Sequence, residues 1–236
     1  MSIKMIMFDL DGTLLPMENE ELFVEKYFGL LAAKLKPHGY DPKQLISAVW
    51  AGTSAMSRNT GEASNEEVFW EKFSGVYGKG AVNDKPLFEE FYQNEFQQVK
   101  AVCGYNETAV QTVRKLREMG LRVMIATKPL FPSIAVESRI RWAGFEPEEF
   151  ESYMTYESCH YCKPDPKYYS EILEKVDAKP EECLMVGNDA DEDMIAETTG
   201  MKVFLLTDCL LNRSGKDISG YPQGGFEELL RFVEEM

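Results

Sequence analysis

Two aspartates stand two residues apart in Asp9-Leu10-Asp11-Gly12-Thr13, directly after a short, mostly apolar run at residues 3–8. Thr127 closes a second such run at 121–126, and Asn188 and Asp189 follow a third at 183–187. Lys163 lies in Cys162-Lys163-Pro164-Asp165-Pro166, a loop that its two prolines stiffen. A carboxylate at the end of a buried run can attack phosphorus and split one slow displacement into two easier ones. Phosphate monoester hydrolysis is among the slowest uncatalysed reactions known, so a site that performs it must supply a very large acceleration. Two carboxylates repel a phosphate dianion, and a hard cation would offset that repulsion. Mg²⁺ prefers oxygen ligands and bridges carboxylate to phosphate. A fixed ammonium such as Lys163 could neutralise both Asp9 and a phosphoryl group, more strongly in a partly dry cleft than in water.

These residues need elements that bring them together. The apolar runs at 3–8, 121–127, 183–187 and 201–207 read as buried strands, with a shorter one near 153–156. Helical spacing covers 108–119, 133–142, 167–176, 191–199 and 226–235. Strands alternating with helices predict an α/β fold, with a doubly wound parallel sheet covered on both faces. In such sheets the ligand crevice lies beyond the carboxyl ends of the strands, where Asp9, Asp11, Thr127 and Asn188-Asp189 would converge. Between the first and second strands the texture changes. Helical patterns run near residues 22–31 and over 42–56, 65–77 and 86–99, separated by Pro37-His38-Gly39, Asn59-Thr60-Gly61 and Gly78-Lys79-Gly80. The expected organisation is a core built from residues 1–15 and 101–236, with a helical bundle inserted at 16–100.

Four motifs, in order, resemble those of the haloacid dehalogenase-like hydrolases: Asp9-Leu10-Asp11-Gly12-Thr13, Ile125-Ala126-Thr127, Lys163-Pro164-Asp165-Pro166, and Val186-Gly187-Asn188-Asp189 through Asp193. The resemblance covers the whole core, and the insert looks like that family's helical cap. It implies a Rossmann-like core and a Mg²⁺-dependent phosphatase acting on a small phosphorylated metabolite through an aspartyl-phosphate. Asp9 would be the nucleophile. Asp11 would offer its backbone carbonyl to the metal, and its side chain would act as general acid and then as base. The Thr127 hydroxyl and a neighbouring amide would bind phosphoryl oxygens, and Lys163 would supply the fixed charge. Cap closure would exclude bulk water.

The chain departs from many relatives at two places. Lys128-Pro129 follows Thr127, and Lys128 either adds charge at the site or points to solvent. After Gly187 stands Asn188 and only then Asp189, so either Asn188 is a neutral metal ligand or Asp189 turns inward. Asp193 would orient waters or Lys163. Asp191 and Glu192 read as solvent-facing acids of a helix's first turn. The polar stretch from Gly52 to Gly61 suggests substrate contacts from Arg58 or Asn59, against the plainer reading of an exposed turn. The aromatic residues of the insert, at helical spacing, read as its core. Cys159-His160-Tyr161-Cys162 has the spacing of a zinc half-site, but His38 is the one other histidine, so loop packing is the better reading.

Composition narrows the rest. The 236 residues carry 25 Lys+Arg against 40 Asp+Glu, a formal charge of −15, which argues against nucleic acid and anionic membrane surfaces as partners. No run of about 18 apolar residues occurs, and the first ten residues do not have the form of a signal peptide. Five scattered cysteines fit a reducing compartment, so a cytoplasmic location is expected. Three other activities compete with the phosphatase reading. A phosphomutase of the beta-phosphoglucomutase type would return the phosphoryl group to a sugar. A haloacid dehalogenase usually lacks the second acid, present here as Asp11. A non-catalytic binding module would require a decayed motif set, and the set is intact.

Overall fold

The computed structural model describes residues 2–236. Five parallel strands form one sheet in the order β2-β1-β3-β4-β5: β1 Met5–Phe8, β2 Arg122–Ile125, β3 Cys183–Gly187, β4 Lys202–Leu206 and β5 Gln223–Gly224. The chain leaves β1 on one side to reach β2 and later returns to β3 on the other, so the switch point of the sheet lies at β1. Register aligns the strand ends. Phe8 pairs with Ile125 on one side and Val186 on the other. Asp9 N–H then donates to Val186 O at 2.9 Å, and Ala126 N–H to Phe8 O at 2.7 Å. Asp9, Thr127 and Asn188 therefore leave neighbouring strands at one level.

Side chains of β1 alternate between two buried clusters. Ile6 and Phe8 join the larger one, with α5 (Glu107–Glu118) and α8 (Phe226–Glu234). Met5 and Met7 join the other, with α7 (Pro166–Lys175) and the 3-10 segment Met194–Thr199. A parallel sheet buried on both faces results, as its apolar strands require.

Between β1 and α5 the chain forms α1 Glu20–Leu35, α2 Pro42–Met56, α3 Asn65–Tyr77 and α4 Lys85–Gln93, then the 3-10 segment Glu95–Val102. Their starts follow from sequence. Asn19 accepts from Leu22 N–H, Asp41 from Gln44 N–H ahead of Pro42, and Ser64 forms a reciprocal box with Glu67. The helix expected over 86–99 instead stops at Gln93, because Asn94 leaves helical backbone with φ −115° and ψ −81°. Helix α6 spans Ser133–Trp142. The helix expected over 191–199 is a turn followed by the 3-10 segment. There the N–H groups of Asp191 and Glu192 turn to the Asp189 side chain. The expected strand near 153–156 is a single bridge from Ile125 to Tyr153. No helix among the described residues is long and apolar enough to cross a membrane.

Candidate active site

Asp9 is buried at the end of β1, with both carboxylate oxygens engaged. Oδ1 accepts from Lys163 Nζ at 2.9 Å. The Thr13 hydroxyl lies 3.1 Å from Asp9 Oδ2 and 2.9 Å from Asn188 Oδ1, so one proton faces two acceptors. Lys163 is 1% exposed and also donates to Asp193 Oδ1 at 2.6 Å. Burial opposes its charge, but Asp193 and Asp9 outweigh burial and hold the ammonium proton well above the usual lysine range. Asp193 is fixed in turn: its Oδ2 accepts from Asp189 N–H at 2.9 Å.

Glycines make the close approaches possible. Gly12 has φ +80°, and a Cβ there would stand 2.4 Å from the Asn188 amide nitrogen. A Cβ on Gly187 would fall 2.0 Å from Asp193 Oδ2. Asn188 is thus pressed against the turn after Asp9, its amide donating to Cys209 O at 2.7 Å and its oxygen turned toward Thr13 and Asp9.

Asn188 and Asp189 both line the cavity with Asp9, and Asn188 shares the Thr13 hydroxyl with it. Asp189 Oδ1 accepts from the N–H groups of Asp191 and Glu192, and Oδ2 from Arg213 Nη1 at 2.6 Å. Lys128 lines the site and pairs with Glu192, which therefore faces the cavity instead of open solvent. Asp191 is tied to Ser214. Thr127 is buried at the end of β2, and its carbonyl accepts from Tyr168 at 2.6 Å. Neither Arg58 nor Asn59 lines the cavity beside Asp9. Arg58 is exposed at the end of α2, and Asn59 closes its own loop onto Ala63 and Asn65. The five cysteines are free thiols, and His160 pairs with Glu171 instead of with a thiolate.

Two arginines escaped the reading of motifs. Arg139 of α6 is buried, lies over the Phe131 ring at 4.4 Å and donates to Asp11 Oδ2. Its place on the stripe Ala135, Arg139, Trp142 was the available signal, a charge on an apolar helix face. Arg213 joins Asp189 to Glu20 at the start of α1, at 2.6 and 2.7 Å. Asp11 keeps its Oδ1 buried with no partner among the described residues. Burial lifts its carboxyl above the ordinary range, with Arg139 pulling against it and Asp9 adding to it.

A cavity of about 520 Å³ opens from these residues toward the inserted helices, lined by Asp9, Asp11, Thr127, Asn188 and a wall of aromatic rings from the insert. Those rings do more than fill a core. The Asp9 carboxylate and the Asn188 side-chain oxygen, which share the Thr13 hydroxyl, are hard oxygen donors of the kind Mg²⁺ takes. Among the described residues no group of three or more His, Cys, Asp and Glu side chains could hold a metal ion.

Known proteins resemble this chain in sequence and in fold. A family model described as haloacid dehalogenase-like hydrolase matches residues 3–196. Pyrophosphatase PpaX of Bacillus cereus is 26% identical over 214 residues, covering 91% of this chain and 88% of its own. Among solved structures, a HAD phosphatase from Thermococcus onnurineus superposes with TM-score 0.59 at 18% identity, over 99% of this chain and 98% of that one. The HAD-hydrolase YfnB of Bacillus subtilis, bound to magnesium, does so with TM-score 0.57 at 16% identity, over 99% of each chain.

Proposed function

The chain belongs to the haloacid dehalogenase-like hydrolases, and from that premise we propose that it is a phosphatase, hydrolysing a phosphate monoester through a phosphoryl-aspartate on Asp9. One observation carries the reading: a buried aspartate at the switch point, held by Lys163 and faced by Asp11 and Thr127 across one cavity. In the first step Asp9 attacks phosphorus and the bond to the leaving oxygen breaks. Asp11, whose carboxyl burial lifts, gives that oxygen a proton. In the second step water attacks the phosphoryl-aspartate, Asp11 takes the water's proton, and phosphate leaves with Asp9 restored. Lys163 and the Thr127 hydroxyl face the phosphoryl oxygens, where fixed donors stabilise the developing charge without reorganising.

Asp9, the Asp11 carbonyl and Asn188 are the residues that would hold Mg²⁺, with Asp193 acting through Lys163. The cation would supply the charge that offsets repulsion between carboxylates and phosphoryl group. The inserted helices serve as a cap that shields the cavity from bulk water. The relatives named pyrophosphatase and phosphatase support phosphoryl chemistry, and the magnesium-bound neighbour supports the cation. Asp11 and Thr127 both line the cavity, which favours the phosphatase over a dehalogenase or an inert binding module.

The test is phosphate release from p-nitrophenyl phosphate with Mg²⁺. Asp9→Asn should lose at least about a thousandfold in kcat while keeping its fold by circular dichroism. Turnover at the parent rate in that variant would refute the nucleophile assignment.

A further inference from the structure

The wall facing Asp9 across the cavity is aromatic and carries no positive charge. Tyr27, Phe28, Phe69, Trp70, Phe88 and Tyr92 from the insert line it, and Trp50, about half exposed, stands at its rim against Phe28 at 5.3 Å. No Lys or Arg of the insert lines the cavity. The one acidic residue that the insert contributes is Glu20, already paired with Arg213. The cations that line it from the core, Lys128 and Arg213, are likewise paired, with Glu192 and with Asp189 and Glu20. The two hydroxyls deep in the wall, Tyr27 and Tyr92, lie 2.9 Å apart and share one hydrogen bond.

From this we propose the substrate class, resting on the phosphatase reading: a phosphate monoester whose leaving group is a flat aromatic group of one or two rings. Each alternative leaving group meets a physical obstacle. A second phosphate, as in pyrophosphate, would bring several negative charges to a wall without a free cation, and a desolvated unpaired charge is costly. A sugar would bury several hydroxyls against a wall made mostly of ring faces, with few polar atoms to meet them, at about 1–3 kcal/mol for each one left unpaired. A quaternary ammonium suits aromatic rings, but Glu20, the carboxylate that would balance it, is neutralised by Arg213. An aromatic ring gains both apolar burial and offset or edge-on ring contacts. The cavity also has the size of a small-ligand pocket, room for a phosphoryl group and a ring system together.

The experiment compares kcat/KM for benzyl phosphate and ethyl phosphate with Mg²⁺ present. Both leaving groups are primary alcohols of similar acidity, so the ratio reads the cavity and not the chemistry. Pyrophosphate and choline phosphate complete the panel. Benzyl phosphate should exceed ethyl phosphate by about fivefold or more. Trp50→Ala, at a half-exposed position and with its fold checked by circular dichroism, should cut that ratio by at least about half. A smaller preference, an unchanged ratio in Trp50→Ala, or a higher kcat/KM for pyrophosphate or choline phosphate overturns the inference alone. Absence of phosphate release from every compound, together with none from p-nitrophenyl phosphate, overturns the phosphatase reading as well.

Discussion

Lys163 sits between two buried carboxylates, and its removal should be felt in stability as well as in turnover. Lys163→Met leaves Asp9 and Asp193 buried with their shared cation gone. Breaking such a pair costs about 3–5 kcal/mol, most of it the uncompensated charge left behind. Adding Asp193→Asn removes one of the stranded charges, so the double variant should regain at least about 1 kcal/mol over the single one in urea unfolding. A double variant less stable than the single would show that Asp193 carries no charge to strand. A second expectation concerns the amide beside Asp9. Asn188→Ala should raise the Mg²⁺ concentration for half-maximal activity by about tenfold or more, while Asp189→Ala, whose oxygens already serve Arg213 and two N–H groups, should raise it much less. Equal effects in a Mg²⁺ titration would reject Asn188 as the ligand. Asp9, Asp11, Thr127 and Lys163 were legible because each ends a short apolar run or sits in a proline-stiffened loop. Arg139 and Arg213 were not, since their carboxylate partners lie 128, 24 and 193 residues away and no local pattern links them.

At the scale of elements, α7 does more than cover the sheet. Its Glu171 clamps the loop that delivers Lys163, accepting from the N–H of His160 at 3.0 Å, from the His160 ring at 2.7 Å and from Lys175 at 3.1 Å. Burial works against the Glu171 charge, but the His160 ring and amide and Lys175 outweigh it, so its carboxyl lies below the ordinary glutamate range. A carboxyl depressed in the folded state contributes stability that is present above the unfolded value and is lost as pH falls through the folded one. Glu171→Gln should therefore cost about 2 kcal/mol at neutral pH. The gap to the parent protein should be widest above the ordinary glutamate range and should close as pH falls below it. A gap that widens on acidification would show that the clamp is not ionic. The helices themselves were largely legible: α2, α3 and α6 begin and end where spacing and breakers put them. The failures have local causes. Asn94 ends α4 without a glycine or proline to announce it, Asp189 diverts the N–H groups that would have started a helix at 191, and β5 has two residues and no period to read.

For the whole molecule, the question is whether the inserted helices are a separate folding unit. The buried contacts say otherwise. One apolar cluster runs from Phe8 and Leu10 at the sheet through Phe23, Phe73 and Phe91 of the insert. Phe96 packs on Trp142 of α6 at 5.0 Å, and Gln97 bonds both Ser138 and Trp142. The start of α3 is bonded to the loop before Lys163, Asn65 N–H to Cys159 O and Glu66 N–H to Tyr156 O, each at 2.8 Å. By contrast, α1 meets the loop after β4 through the solvent-exposed pair Glu20–Arg213, a contact worth about 0–1 kcal/mol. From the buried contacts it follows that the insert and the sheet unfold together. Single-tryptophan variants make this measurable, one keeping Trp70 in α3 and one keeping Trp142 in α6, with phenylalanine at the other two tryptophan positions. Their urea midpoints, relative to far-ultraviolet circular dichroism of the same variant, should coincide as a two-state transition requires. A Trp70 transition that precedes the dichroism change, with Trp142 still native, would mean that the insert melts off a stable core, and that the shared cluster does not couple them.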